Sequence, residues 1–157
     1  WLKLLRHGVS GKLLTLIQNM YKDIRSCVEV NKVKSSFFPC LSGVRQGENL
    51  SPLLFSFYLN DLEDYLSAKE CVGLHLEVDN DVVYMYIKLL VLLYADDTVL
   101  LADSSHELQN TLNWFSRYCD TWKLEVNAEK TKILIFGSGP AGKNKNKFYY
   151  RDRKSVV

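Results

Sequence analysis

The sequence predicts an α+β fold, an antiparallel sheet of three or four strands with helices packed on one face. Three observations predict it. Apolar residues recur at helical spacing in three separate stretches, near 11–24, 51–66 and 104–122. Between the second and third, residues 72–102 are rich in β-branched residues, leucine and tyrosine, the composition of strands. And 157 residues with 47% hydrophobic and 24% charged content suffice for one domain with a real core.

The elements follow in order. Trp1 to His7 reads as the end of a helix, with Gly8 placed to terminate it. Leu13, Leu16, Ile17, Met20 and Ile24 mark an amphipathic helix over about 11–24. Ser26–Asn31 and Lys34–Pro39 look like two strands of a hairpin around Lys32. Leu41–Asn49 is a loop with two glycines. A helix follows, with Ser51 as its cap, Pro52 in its first turn and Leu50 stapled on Phe55. Its buried stripe is Leu54, Phe55, Tyr58, Leu59, Leu62 and Leu66, each contributing roughly 1.5–3 kcal/mol when buried.

Val72–Val78 is expected as a strand and Asp79-Asn80-Asp81 as a turn. Val82–Ala102 reads as strand, tight turn and strand, buried on at least one face and broken only at Ala95-Asp96-Asp97. Ser104 opens a third helix, with Glu107 completing a capping box and Leu108, Leu112, Phe115, Cys119 and Trp122 as its stripe. Thr131–Phe136 is expected as a strand, Gly137–Lys147 as a flexible loop, and Phe148–Val157 as an incomplete hairpin. The chain opens on Trp1 and ends inside a strand pattern, so it reads as a fragment.

Composition excludes several classes. The four cysteines form no CxxC pair, which argues against a zinc site. No signal peptide opens the chain, and the longest apolar run contains Lys88 and is too short to span a membrane. A reduced, intracellular setting is expected, nuclear or cytoplasmic. Net charge is only +2, but its layout is basic, acidic, basic. Residues 1–50 carry eight basic and three acidic side chains, 51–104 two and ten, 143–154 six and one. That layout suits a polyanion held at the flanks and cations in the middle; ordinary solvated surface charge accounts for it equally.

The chemistry centres on Tyr94-Ala95-Asp96-Asp97, two adjacent carboxylates between apolar strands. Burying ionised carboxylates costs several kcal/mol each unless a partner is present, and no Lys or Arg lies close downstream. A divalent cation is the natural partner. Oxygen ligands with no nearby His or Cys favour Mg²⁺ or Mn²⁺. Two such ions, about 3.5–4 Å apart, stabilise the attacking and leaving oxygens of a phosphoryl transfer. The plainer alternative is a solvated hairpin tip, where Asp is simply a good turn residue.

The neighbouring residues favour the chemistry. Tyr94-Ala95-Asp96-Asp97 matches the YxDD box of reverse transcriptases. Gly43-Val44-Arg45-Gln46-Gly47-Glu48-Asn49-Leu50-Ser51-Pro52-Leu53-Leu54-Phe55 resembles their motif B, and Asn127-Ala128-Glu129-Lys130-Thr131 resembles the motif D of the LINE-type, non-LTR branch. The three boxes stand in the family's order, and Arg45 before Gln46 resembles LINE-type elements rather than retroviral or group II intron enzymes.

The resemblance implies a polymerase palm: residues 1–142 as a palm and fingers fragment, and 143–157 as a flexible linker and the start of a thumb-side hairpin. It implies RNA-directed DNA synthesis on an RNA template with a DNA primer, dNTP and two Mg²⁺ (or Mn²⁺) ions. Asp96 and Asp97 would hold metal, Tyr94 would lie beside the primer terminus, and Ala95 would leave room for the incoming sugar. Gln46 and Gly47 would support the template base and nucleotide, Arg45 would meet phosphate, and Lys130 would act on the pyrophosphate leaving group, unless it is a surface lysine.

One part is missing. The family's motif A supplies a further catalytic Asp on a strand before the first helix, yet no Asp precedes Asp23 here. The palm is therefore expected without a motif A strand and with little thumb. That shortage keeps open a non-catalytic remnant that at most binds nucleic acid. A group II intron-type maturase is a further alternative. Gly137–Asn144 nearly spells a P-loop, but Asn144 replaces the Ser or Thr that binds Mg²⁺, and a turn is the better account.

Overall fold

The computed structural model describes residues 1–80, 83–94, 96–136, 147–151 and 153–155. They fall into two compact units, Trp1–Asn60 and Asp61–Val157.

In the first unit, α1 (Leu2–Arg6) stops as expected before Gly8, whose φ of +83° suits glycine. α2 spans Gly11–Met20, four residues shorter than its apolar period suggested. Only Ile17 of its stripe is buried, whereas Leu13 and Leu16 are exposed. The expected hairpin is present. β2 (Glu29–Val30) pairs with β3 (Val33–Lys34), and β1 (Arg25–Ser26) pairs with β4 (Phe38–Pro39). The turn residues Asn31 and Lys32 have φ of 50° and 65°, as a two-residue turn with left-handed centres requires.

α3 spans Leu50–Leu59 and packs against α1. Lys3, buried, donates from Nζ to the Tyr58 carbonyl and lies 5.0 Å from the Tyr58 ring centroid. A cation thus meets a carbonyl of the last helical turn.

The second unit begins where one long helix was expected. The break falls at Asn60 and Asp61, and α4 runs from Leu62 to Ser67. Asp61, at the break, accepts a 2.6 Å hydrogen bond from the Tyr118 hydroxyl. Leu62 and Leu66 are fully buried and α4 packs on α5, Ser105–Trp122. Ser104 caps α5, accepting from the Glu107 amide at 3.2 Å, while the reciprocal Glu107 side-chain bond of a capping box is not found and its Oε2 is buried without a hydrogen-bond partner among the described residues. Its buried face is broader than the expected stripe and includes Thr111, Ser116 and Tyr118.

The strands pair two by two. β5 (Leu74–Asn80) pairs with β6 (Val83–Leu89), β7 (Val91–Tyr94) with β8 (Asp97–Leu100), and β9 (Phe148–Tyr150) with β10 (Arg153–Ser155), all antiparallel. The expected sheet of three or four strands is therefore not formed among the described residues. Asp79 and Asn80, expected in a turn, lie in β5, and residues 81 and 82 are outside the described set.

The long apolar run breaks at Leu90, which is buried. A Cβ on Gly73 would come within 2.1 Å of the Leu89 carbonyl oxygen, so glycine permits that close passage. Thr131–Phe136, expected as a strand, forms no ladder among the described residues, and Leu134 and Phe136 are 75% and 85% exposed.

α5 packs against β8 and β9. Gln109 ties it to β9 with two 2.8 Å bonds, donating to the Tyr149 carbonyl and accepting from the Tyr149 amide. Burial pushes the Cys119 thiol and the Tyr150 hydroxyl above their ordinary values, so both stay neutral. The expected division at 142/143 and the near P-loop of 137–144 fall outside the described residues.

Candidate active site on the carboxylate hairpin

The apolar residues of 91–94 and 98–100 pair across a tight turn. Val91 faces Leu100, Leu92 faces Val99, Leu93 faces Thr98 and Tyr94 faces Asp97. The Leu101 amide donates to the Leu90 carbonyl at 3.0 Å, carrying the ladder one step further. Asp96 occupies the turn and Asp97 opens β8, so both carboxylates sit at the hairpin tip. Ala95 lies outside the described residues.

The hairpin is more open than the sequence suggested. Asp96 and Asp97 are exposed, Tyr94 is 83% exposed, and Leu92, Leu93 and Val99 are exposed too. The expectation of a run buried on at least one face is not met along β7, because its only ladder partner among the described residues is β8. Neither carboxylate makes an ion pair among the described residues, so the oxygens are available to a hard cation. Their chemistry suits Mg²⁺ or Mn²⁺, but their number does not complete a site. No group of three or more His, Cys, Asp or Glu side chains able to hold a metal forms among the described residues.

The base of the hairpin is tied down. Asp103, just past β8, lies 3.3 Å from His75 Nδ1 on β5. The Ser104 cap then starts α5, so the chain leaving Asp97 enters a fixed helix within a few residues. Lys130 is exposed in a turn built by Asn127, whose side-chain oxygen accepts from the Lys130 amide at 3.1 Å. Thr131 returns both its amide and its hydroxyl to the Asn127 carbonyl, at 3.0 and 2.9 Å.

The other predicted residues belong to the first unit. Arg45, Gln46 and Gly47 share the loop before α3, with Gly47 at φ +86°. Arg45, expected to meet phosphate, is occupied by protein. It donates to Glu48 at 2.7 Å and to the Met20 carbonyl at 2.6 Å, and lies over the Tyr21 ring.

Ser51 does not cap α3, because Leu50 already lies in the helix and Asn49 takes the cap position. Instead Ser51 Oγ donates to the Arg45 carbonyl at 2.5 Å and lies 3.3 Å from the Tyr21 hydroxyl. This ring of Tyr21, Arg45, Glu48 and Ser51 leaves Gln46 exposed at a groove of about 590 Å³, lined also by Asp23, Arg25 and Ser42. Tyr21 and Glu48 were missed as site-building residues. The only signal was Glu48 three positions after Arg45. The structure thus gathers Tyr94, Asp96 and Asp97 on one hairpin and Arg45, Gln46 and Gly47 in one loop, in separate units.

Residues 3–151 match the family model for reverse transcriptase (RNA-dependent DNA polymerase). The chain is 29% identical over 133 residues to an RNA-directed DNA polymerase from the mobile element jockey of Drosophila melanogaster, covering 81% of this chain and 13% of that protein. It is 31% identical over 126 residues to a retrovirus-related Pol polyprotein from the type-1 retrotransposable element R2 of Nasonia vitripennis, covering 80% of this chain and 11% of that protein. The chain therefore spans little more than a tenth of the length of these relatives. With the YxDD residues on a hairpin tip and the match running over nearly all of its length, the chain belongs to the reverse transcriptase (RNA-dependent DNA polymerase) family.

Proposed function

We propose that this chain is part of the palm of a LINE-type RNA-directed DNA polymerase, working inside the cell on an RNA template, a DNA primer and dNTP. The observation that carries the reading is the pair of exposed carboxylates, Asp96 and Asp97, at the tip of a two-residue hairpin turn. When bound, divalent ions lower the cost of charge on the oxygens of a phosphoryl transfer. Asp96 and Asp97 would supply two ligands toward such ions, with Asp96 the more essential by resemblance.

The roles of the other residues follow from their placement. Tyr94 adjoins the carboxylates and is free to lie beside a primer terminus. Gln46, exposed at the mouth of its groove, would meet the template base or nucleotide. Gly47 lets backbone come close. Arg45 would serve by holding that loop rather than by reaching phosphate itself. Lys130, at an exposed turn, would carry a proton to the departing pyrophosphate.

Two carboxylates do not hold two ions. A second reading, a remnant that binds nucleic acid without synthesis, draws on that shortage. Primer extension separates the two. The 157-residue chain is expected to add no nucleotides on an RNA template with Mg²⁺ or Mn²⁺. A version lengthened upstream through a motif A aspartate and downstream through a thumb is expected to extend the primer. Synthesis by the short chain would show the ligand count to be wrong, and silence from the lengthened one would favour the remnant.

A further inference from the structure

Away from the hairpin, α4 and α5 meet along an aromatic seam. Tyr65 and Tyr118 lie 5.3 Å apart between ring centroids, and Tyr118 and Trp122 lie 6.3 Å apart. At one end of the seam, Trp114 collects two cations. Lys69 Nζ lies 4.8 Å from its ring centroid and the Arg117 guanidinium carbon 4.5 Å. Lys69 also lies 5.9 Å from the Tyr65 ring.

Both cations are exposed, while Trp114 is half-buried. Neither makes an ion pair among the described residues. Of the acidic groups nearby, Glu63 and Asp64 occupy the first turn of α4, Asp120 is bound to Arg151, and Glu70, next to Lys69 in sequence, makes no ion pair among the described residues.

Two like charges beside one ring repel each other, and each is attracted by the ring's electron-rich face. The arrangement holds both long side chains in place without neutralising them. An anion reaching both cations removes the repulsion and meets donors already ordered. Their attachment to the ring also keeps its face from bases, so recognition falls on phosphate rather than on stacking.

We propose that Lys69 and Arg117, presented on Trp114, form a binding site for the phosphodiester backbone of a nucleic acid strand. The choice of nucleic acid among phosphate-bearing ligands rests on the polymerase reading above. The site presents two exposed cationic side chains and uses no residue of the carboxylate hairpin.

The test is fluorescence anisotropy of a labelled single-stranded RNA 20-mer titrated with the 157-residue chain over a range of salt concentrations. Lys69→Gln/Arg117→Gln is expected to weaken binding at least tenfold. Loss of two phosphate contacts on a single strand should lower the slope of log K against log salt by about 1.4. Each single substitution, at an exposed side-chain end whose loss leaves no cavity, should lower it by about half as much. The charge-matched Lys12→Gln/Lys32→Gln should leave the slope within half of that change. Inorganic phosphate or anionic vesicles should compete only weakly.

Unchanged affinity and slope in the double variant, with only a lower unfolding midpoint, would overturn the proposal and leave the cluster a helix-to-helix clamp. Full competition by free phosphate would overturn the nucleic acid assignment. RNA binding by the 157-residue chain reads this site, and primer extension by the lengthened protein reads the polymerase assignment, so the two can fail separately.

Discussion

Arg45 was read from the sequence as a phosphate ligand, and in the structure its guanidinium is engaged by protein groups. Its two terminal nitrogens meet a carboxylate and a helix-end carbonyl, and Ser51 binds its own backbone carbonyl. A planar fork with two fixed acceptors positions a loop better than a point charge does. Arg45→Ala is therefore expected to destabilise the chain by roughly 1–2 kcal/mol, the lower part of the range for charged hydrogen bonds, because the site is half-exposed. Arg45→Lys should restore only part. Urea unfolding of the three proteins checks this, and equal midpoints would show that the ring does not hold the loop. The residue types of the box were legible in the sequence. Their partners were not, since Met20 and Tyr21 come from a different helix.

At the scale of elements, signals confined to a few residues translated well. Ser104 and Glu107 share one turn, so their cap depends on nothing distant. Ser104→Ala is expected to cost about 1 kcal/mol and to fray the first turn of α5. Thermal unfolding followed by circular dichroism measures it, and an unchanged midpoint would mean that Ser104 does not bear on stability. The Asn31–Lys32 hairpin was equally legible, because its turn and both strands lie within six residues.

Signals that depend on a partner fared worse. Thr131–Phe136 has strand composition, but composition supplies no neighbouring edge, and the segment is unpaired among the described residues. The apolar stripe of α3 runs on into α4, so periodicity concealed the break at Asn60 and Asp61. Ser51 looked like a cap because Pro52 follows it, yet Leu50 had already entered the helix.

At the scale of the molecule, the two units divide the predicted site residues between them, and the division falls where the charge turns from basic to acidic. What the sequence carried most reliably was the turn itself. Two strands broken by a single polar pair can close only there, and Tyr94 pairs with Asp97 across it. What it could not carry was exposure: the same apolar run that suggests burial lies half-open where no further strand among the described residues covers it.

The central claim is that this hairpin tip is the metal-binding part of a polymerase. The most direct measurement is the rate of primer extension by the lengthened protein with and without Asp96→Asn, at saturating primer–template. The substitution keeps the shape of the side chain and removes one charge. The account predicts a fall of roughly 10²–10³-fold in rate, the scale of losing one preorganised electrostatic group, with primer–template binding unchanged. Extension by Asp96→Asn at the parent rate would contradict the account and place the metal site elsewhere.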